Sequence, residues 1–250
     1  LAFSLGLFLL LELGQLLVLQ GPEGCVGTAA LLQRPLLHAT VREGAGQLQQ
    51  LFHIKQAGMR AIEENYTHYA PTMGRMDFRE AVAAYVSKTR GIPMAADEIL
   101  VTPGAKDAIY SACMTLLEDG DEAIYPNPAY PIYESCINIS GAKAMPLPIL
   151  EEKDFGFDRD TFVKLVSPHT RLVVINSPTN PTGGILARED LELVAEMAQK
   201  YDFYVLSDEI YSRLVFEGEH FSIASLPGMK ERTIIVDGMS KTYAMTGWRL

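Results

Sequence analysis

The sequence contains few cysteines and few histidines. Its 250 residues include three cysteines, Cys25, Cys113 and Cys136, which are too few and too scattered for a disulfide scaffold or a zinc site. The five histidines show no ligand spacing, so we predict no metal centre. Scattered, unpaired cysteines are typical of a reducing compartment, and we therefore expect the protein to be cytoplasmic.

Basic residues are also scarce. There are 21 Lys and Arg residues against 31 Asp and Glu residues, which gives a formal net charge of −10 at pH 7. A nucleic-acid-binding protein needs a basic face that neutralises phosphates, so this charge argues against such a partner. The apolar share of 48% and the charged share of 21% indicate a globular protein with a substantial core rather than a disordered chain.

Charge of either sign is rare at the start of the chain. Residues 1–52 hold five charged residues and neither lysine nor tyrosine, and ten of the first twenty residues are leucine. A segment this apolar is compatible with a membrane span or a secretory leader. Glu12 interrupts the run and no basic residue precedes it, which counts against both. We predict that residues 1–52 are an unassigned apolar head outside the folded domain, with a membrane or export signal as the alternative.

From residue 53 onward, helical and strand patterns alternate. Apolar residues at helical spacing predict helices over residues 53–65, 78–88, 109–117, 130–140, 158–166 and 189–200. Short apolar or β-branched runs predict strands at residues 98–101, 123–125, 143–146, 172–175, 203–206 and 233–236. This alternation predicts an α/β fold with a mostly parallel sheet and helices on both faces. Ligands of such sheets bind beyond the carboxyl ends of the strands.

The loops that follow four of these strands carry an unusual set of polar groups. They offer an amide at Asn180, a carboxylate at Asp208 with a phenol at Tyr211, and a lysine at Lys241 with Arg249 eight residues on. A further loop offers free backbone N–H groups at a helix N-terminus, in the segment Gly104-Ala105-Lys106. Such converging groups suit a phosphorylated, heteroaromatic ligand that carries a carbonyl.

Residues 53–250 contain, in this order, the strings YTHYAPTMG, VTPGAKDAIYSA, YPNPAYPIY, NSPTNPTGG, SDEIYSRL and DGMSKTYAMTGWRL. These six strings resemble, in the same order, the fold-type I enzymes that depend on pyridoxal 5′-phosphate, in particular the class I/II aminotransferases. The 28 residues from Asn180 to Asp208 also fit the family's spacing. The resemblance implies the aminotransferase large domain for this part of the chain.

The resemblance implies a role for each polar loop residue. Lys241 forms a Schiff base with the cofactor's aldehyde and then moves a proton between the substrate's α-carbon and the cofactor. Asp208 pairs with the pyridine nitrogen and keeps it protonated, so that the ring can act as an electron sink. Tyr211 and Asn180 donate hydrogen bonds to the cofactor's phenolic oxygen. Lys241, Asp208 and Tyr211 are therefore the expected catalytic residues.

A second group is expected to hold the cofactor's phosphate. The resemblance implies that the guanidinium of Arg249 grips it, and that the helix N-terminus at Gly104, Ala105 and Lys106 binds it through backbone N–H groups. Many relatives also have a phosphate-binding serine three residues before the lysine, where this chain has Gly238.

Two tyrosines complete the predicted site. Tyr130 is expected to stack on the cofactor ring. Tyr69 resembles the tyrosine that reaches the phosphate of the neighbouring subunit in this family, which implies a homodimer with shared active sites.

The chain is short for the family, and its two ends differ from the family pattern. It stops at Leu250, directly after the phosphate arginine, so the resemblance implies an incomplete large domain over residues 53–250 and a missing C-terminal small domain. The arginine that binds the substrate's α-carboxylate is expected to be missing with it. We therefore expect a fragment, and its inactivity when isolated is one alternative.

The predicted function is transfer of an amino group from an amino acid to a 2-oxo acid. One alternative is another reaction on the same cofactor, such as that of a lyase or a cyclopropane amino acid synthase. A second is a non-catalytic, ligand-sensing domain of the same fold. Such domains occur fused to DNA-binding heads, which the lysine-free residues 1–52 do not resemble.

Overall fold

The computed structural model describes residues 50–250. The apolar head predicted for residues 1–52 therefore lies, apart from its last three residues, outside the described residues. The chain divides into two compact units. We call Ala105–Asp237 the sheet unit, and residues 50–104 with Gly238–Leu250 the helical unit. The single incomplete domain expected over residues 53–250 stays a prediction.

The described part of the chain contains helices and strands in alternation. The helices are α1 (Phe52–Glu63), α2 (Met76–Arg90), α3 (Ala105–Leu116), α4 (Ile132–Ile139), α5 (Arg159–Leu165), α6 (Arg188–Tyr201) and α7 (Met239–Thr242). The strands are β1 (Glu122–Asn127), β2 (Lys143–Leu150), β3 (Gly156–Phe157), β4 (Thr170–Asn176), β5 (Tyr204–Asp208) and β6 (Thr233–Val236).

The strands form one sheet in the order β3-β2-β1-β4-β5-β6. All neighbouring strands run parallel except β2 and β3, which are antiparallel. The predicted α/β class with a mostly parallel sheet is therefore confirmed. In this order the carboxyl ends of β4 and β5 lie side by side, with Asn176 opposite Asp208.

Strand β4 shows why the sheet is covered on both faces. Leu172 and Val174 pack in one buried cluster with residues of α3 and α4. Val173 and Ile175 point the other way, into a cluster with residues of α5 and α6. The apolar side chains at all four positions from 172 to 175 are therefore buried, and each contributes about 1.5–3 kcal/mol to folding.

In the helical unit the last residues of the chain pack back on α1 and α2. The Trp248 indole N–H donates a 3.2 Å hydrogen bond to the Gln50 side chain, and the Trp248 ring lies against Ala61 of α1. Leu250 is buried against Phe78 of α2. The residues on either side of Arg249 are thus both held in place by contacts with the rest of the helical unit.

The strand predicted at residues 98–101 is wrong. Ala96–Glu98 form a 3-10 turn and the next three residues belong to no strand. The Arg79 side chain donates hydrogen bonds to the carbonyls of Ala96 (2.9 Å) and Ile99 (3.0 Å), which takes the place of strand pairing there. Conversely, the sequence does not predict β3, because two residues are too short to show a period.

Residues 50–250 contain neither a membrane-spanning helix nor a metal-binding cluster. None of the helices in that range combines the length and apolarity needed to cross a membrane. The same range holds no cluster of His, Cys, Asp and Glu side chains suited to a metal ion.

Candidate active site

Asp208 is a buried carboxylate at the carboxyl end of β5, and the residue is 4% exposed. Its Oδ2 accepts a 2.6 Å hydrogen bond from the Tyr133 hydroxyl, and its Oδ1 accepts one of 3.2 Å from the Ile210 N–H. Burial raises the pKa of Asp208 above its ordinary value, the neighbouring Glu209 raises it further, and the two hydrogen bonds lower it. Both donors are uncharged, so an ionised carboxylate at this position would need a cation to neutralise it.

Asn176 ties the loop after β4 to the end of β5. Its Nδ2 donates a 3.0 Å hydrogen bond to the Asp208 carbonyl, and its Oδ1 accepts one of 2.8 Å from the Asn180 N–H. Asn176 is buried, and its bond to the Asp208 carbonyl forms away from water, whereas its bond to the Asn180 N–H is partly buried. The backbone positions of Asn180 and Asp208 are therefore fixed relative to each other by one side chain.

The two further polar residues predicted for the sheet unit lie in the turns after these strands. Asn180 follows β4 and is half-buried, with its backbone held by Asn176. Tyr211 lies three residues after β5 and is half-buried; its carbonyl accepts a 2.8 Å hydrogen bond from the Leu214 N–H. The structure thus brings the loops that carry Asn180, Asp208 and Tyr211 to the same edge of the sheet.

Two tyrosines precede and open α4. The rings of Tyr130 and Tyr133 meet edge to face, with centroids 6.1 Å apart and planes at 89°. Lys106, in the first turn of α3, places its Nζ 5.8 Å from the centroid of the Tyr130 ring. The predicted stacking residue Tyr130 is therefore packed against the residue that binds Asp208.

A second buried carboxylate follows Asp208 in the chain. Glu209 is 1% exposed, and its Oε1 accepts hydrogen bonds from the hydroxyls of Ser207 (2.9 Å) and Ser222 (2.6 Å). Its Oε2 lies 3.1 Å from Nε2 of His220. The Glu209 N–H also donates a 2.8 Å hydrogen bond to the Val236 carbonyl of β6. These bonds fix the chain immediately beyond Asp208.

Arg249 and Gly104 contact each other in the helical unit. The two terminal guanidinium nitrogens of Arg249 donate 3.1 Å hydrogen bonds to the carbonyls of Thr246 and Pro103. A Cβ placed on Gly104 would collide with Nη2 of Arg249 and lie 3.1 Å from its Cζ. Gly104 also has a φ of +86°, which side chains disfavour. Close packing and backbone conformation both explain the glycine.

The remaining predicted residues of the helical unit are exposed. Lys241 lies in α7, two residues after its first residue, Met239. Tyr69 lies between α1 and α2 and is 84% exposed. The roles of Lys241 and Tyr69 stay predictions.

Sequence reasoning misses three residues of the sheet unit. Tyr133 and Asn176 lie inside two of the six motifs, YPNPAYPIY and NSPTNPTGG, but the motifs alone give them no role. The same holds for Glu209 in SDEIYSRL. The three-residue spacing of Tyr130 and Tyr133, which would share one face of the helix predicted over residues 130–140, is the available signal for Tyr133.

The chain matches known proteins in sequence. Residues 40–250 match the family model described as aminotransferase class I and II, so the match begins 13 residues before the first predicted helix at residue 53. Aromatic-amino-acid aminotransferase 2 of Thermococcus litoralis is 42% identical over 202 residues, which cover 79% of this chain and 51% of that protein. The aspartate aminotransferase of Pyrococcus abyssi is 42% identical over 200 residues, with the same coverage.

Solved structures match the fold. The aromatic aminotransferase from Pyrococcus horikoshii superimposes with a TM-score of 0.79 at 40% identity, covering 83% of this chain and 56% of that one. The chain spans about half the length of the curated relatives it matches. The family model covers most of the chain, and the resemblance carried by the six motifs is confirmed: this chain belongs to the class I and II aminotransferase family.

Proposed function

We propose that the protein transfers an amino group from an amino acid to a 2-oxo acid with pyridoxal 5′-phosphate as cofactor. The observation that carries this proposal is Asp208, a buried carboxylate whose two oxygens are held by uncharged donors. A buried carboxylate suits the protonated nitrogen of a pyridine ring, because each charge compensates the desolvation of the other. The donor set of this chain therefore fits the cofactor that the family implies.

The phosphate is assigned to the residues around Gly104. We propose that the Arg249 guanidinium binds it, with the backbone N–H groups of Ala105 and Lys106 at the start of α3. A guanidinium held by two carbonyls still has N–H groups to donate, because it carries five.

The ring of the cofactor is assigned to residues of the sheet unit. We propose that Tyr130 stacks on it, and that Asn180 and Tyr211 hydrogen-bond its phenolic oxygen. The support is the tie through Asn176, which holds the Asn180 backbone at a fixed place relative to Asp208.

The chemistry is assigned to Lys241. When bound, the cofactor supplies a carbonyl that accepts amines and a ring that stabilises negative charge at the substrate's α-carbon. We propose that the Lys241 amine holds the cofactor covalently in the resting enzyme. When a substrate amine is bound in its place, the Lys241 Nζ would be the group that accepts the proton from the substrate's α-carbon.

We also propose a homodimer in the cytoplasm. Support for the dimer comes from the exposed apolar side chains of Phe52, Met59 and Ile62 of α1, and Tyr69 is also exposed. Support for a reducing compartment comes from Cys113 and Cys136, which are both free thiols and buried.

The experiment that tests the function separates the two half-reactions. We expect purified protein to bind pyridoxal 5′-phosphate with a visible absorbance band, and an added amino acid to shift that band. One equivalent of 2-oxo acid per bound cofactor should be released, and further turnover should require a 2-oxo acid acceptor. Continuous release of pyruvate without an acceptor would instead identify a lyase. A band that shifts without any product would identify a ligand-sensing domain, and the absence of a band would reject the proposal.

Gly104→Ala should weaken phosphate binding more than it weakens folding. The added Cβ at φ +86° costs about 1–2 kcal/mol in backbone strain. It also displaces the end of the Arg249 side chain, which is flexible and can move at little cost to stability. We expect a modest loss in the free energy of unfolding, and at least a tenfold weaker inhibition of cofactor binding by inorganic phosphate.

The matched control for this change is Gly91→Ala. Gly91 follows the last residue of α2 with a φ of +69°, and among residues 50–250 no atom other than those of Gly91 and its two chain neighbours lies within 4 Å of its added Cβ. It therefore reports the backbone strain without the collision. Equal phosphate affinities in the two variants would contradict the assignment of Arg249.

A further inference from the structure

We propose that Tyr133 is a positioning residue, which fixes the Asp208 carboxylate and favours its ionised form for the ring nitrogen of the cofactor. This inference rests on the proposed function and extends it to a residue of α4 that touches the cofactor only through Asp208.

The geometry of the pair is the first argument. The Tyr133 hydroxyl donates to Oδ2 of Asp208 at 2.6 Å, while the Ile210 N–H donates to Oδ1 at 3.2 Å. One donor on each oxygen fixes the plane of the carboxylate. Tyr133 is 1% exposed, so no water competes for the bond.

The direction of the hydrogen bond is the second argument. Burial raises the pKa of Tyr133, and the charge of Asp208 raises it further, so the phenol stays protonated and can only donate to the carboxylate. A donated hydrogen bond stabilises the ionised form of Asp208 and opposes the effect of burial on its pKa.

The other titratable groups around the pair do not supply this stabilisation. Glu209 raises the pKa of Asp208, and the phenols of Tyr211 and Tyr130 raise the pKa of Tyr133. Lys106 places its Nζ over the ring of Tyr130. The Tyr133 hydroxyl is thus the side chain that favours the charged carboxylate.

The packing of α4 is the third argument. Tyr133 meets the ring of Tyr130 edge to face, and its N–H donates a 3.3 Å hydrogen bond to the Tyr130 carbonyl. One residue therefore supports both the carboxylate at the edge of the cofactor and the aromatic ring assigned to its face.

The test compares Tyr133→Phe with Tyr125→Phe. Tyr125 is a buried tyrosine of the same core cluster, but its hydroxyl bonds to Glu134 instead. We measure the affinity for pyridoxal 5′-phosphate as a function of pH, together with the unfolding of the cofactor-free protein. Tyr133→Phe should weaken binding at neutral pH about tenfold or more, because a hydrogen bond to a charged group is lost.

The pH profile separates positioning from a merely structural role. Without the hydroxyl the pKa of Asp208 rises further, so the acid limb of cofactor binding should move to higher pH. Tyr125→Phe should leave that limb where it is. When Asp208→Asn is already present, adding Tyr133→Phe should cause no further shift of the acid limb. This double variant carries the same loss of folding stability from Tyr133→Phe, so it controls for that loss.

Three results would overturn the inference. The first is an acid limb in Tyr133→Phe that matches the wild type. The second is a loss of affinity that is equal at every pH, which indicates a structural role. The third is a wild-type protein that binds no cofactor, which rejects the proposed function and this inference with it, whereas the first two leave that function standing.

Discussion

We expect Lys241→Ala to abolish the proposed transfer of amino groups. The variant lacks the amine that is proposed both to hold the cofactor and to carry the proton from the substrate's α-carbon. A positioned general base alone contributes about 10²–10⁴-fold to a rate, so we expect a loss of at least about 10³-fold. Absorbance spectroscopy should show that the band of the bound cofactor is altered. Addition of an amino acid should no longer shift this band within the turnover time of the wild type.

Two variants control this result. Lys241→Arg keeps the positive charge, but a guanidinium neither forms the covalent link nor gives up a proton near neutral pH, so it should be as inactive as the alanine variant. Lys164→Ala removes an exposed lysine from the last turn of α5 and should behave as the wild type. Activity in Lys241→Arg within tenfold of the wild type would show that the residue supplies only charge.

We expect Asp208→Asn to impair the proposed reaction while stabilising the cofactor-free protein at neutral and alkaline pH. The amide cannot pair with a protonated ring nitrogen, and loss of one such electrostatic contact costs about 10²–10³-fold in rate. The Tyr133 hydroxyl can rotate to accept a hydrogen bond from the new amide, so the packing around position 208 is retained.

The stability of the same variant should depend on pH in a defined direction. Burial raises the pKa of Asp208 in the folded state above its unfolded value. At pH values between these two pKa values, the folded wild type therefore binds more protons than the unfolded chain. The resulting stabilisation is present below the unfolded pKa and is lost as the pH rises through the folded pKa. The amide introduced by Asp208→Asn cannot titrate, so the variant should gain stability relative to the wild type across that interval.

Urea unfolding of the cofactor-free proteins at several pH values is the measurement. Asp160→Asn, the same change at an exposed position in the first turn of α5, provides the control and should show no such pH-dependent gain. A constant difference between Asp208→Asn and the wild type at every pH would show that Asp208 does not titrate as its burial requires.

Much of this site follows from the sequence because strand ends are easy to locate. The run of apolar and β-branched residues in β4 ends at a polar residue, and the same holds for β5 at Asp208. Parallel pairing then places these ends side by side. The motifs supply the roles that spacing alone cannot give.

The sequence could not reveal contacts made across long separations. Tyr133 is 75 residues from Asp208, and its helical pattern predicts only that it is buried. The strand expected at residues 98–101 is wrong for a similar reason. The carbonyls of Ala96 and Ile99 accept hydrogen bonds from the Arg79 side chain, which lies 17 and 20 residues earlier, in α2.

The side chain of Asn176 has a consequence for the range of substrates. Because it bonds to the backbone on both sides, the contacts proposed for the ring nitrogen and for the phenolic oxygen keep one spacing whatever amino acid is bound. Relatives named for aspartate and for aromatic amino acids both match this chain, at 42% identity over 200 and 202 residues. We therefore expect the contacts proposed for the cofactor in the sheet unit to keep the same geometry for different amino acids.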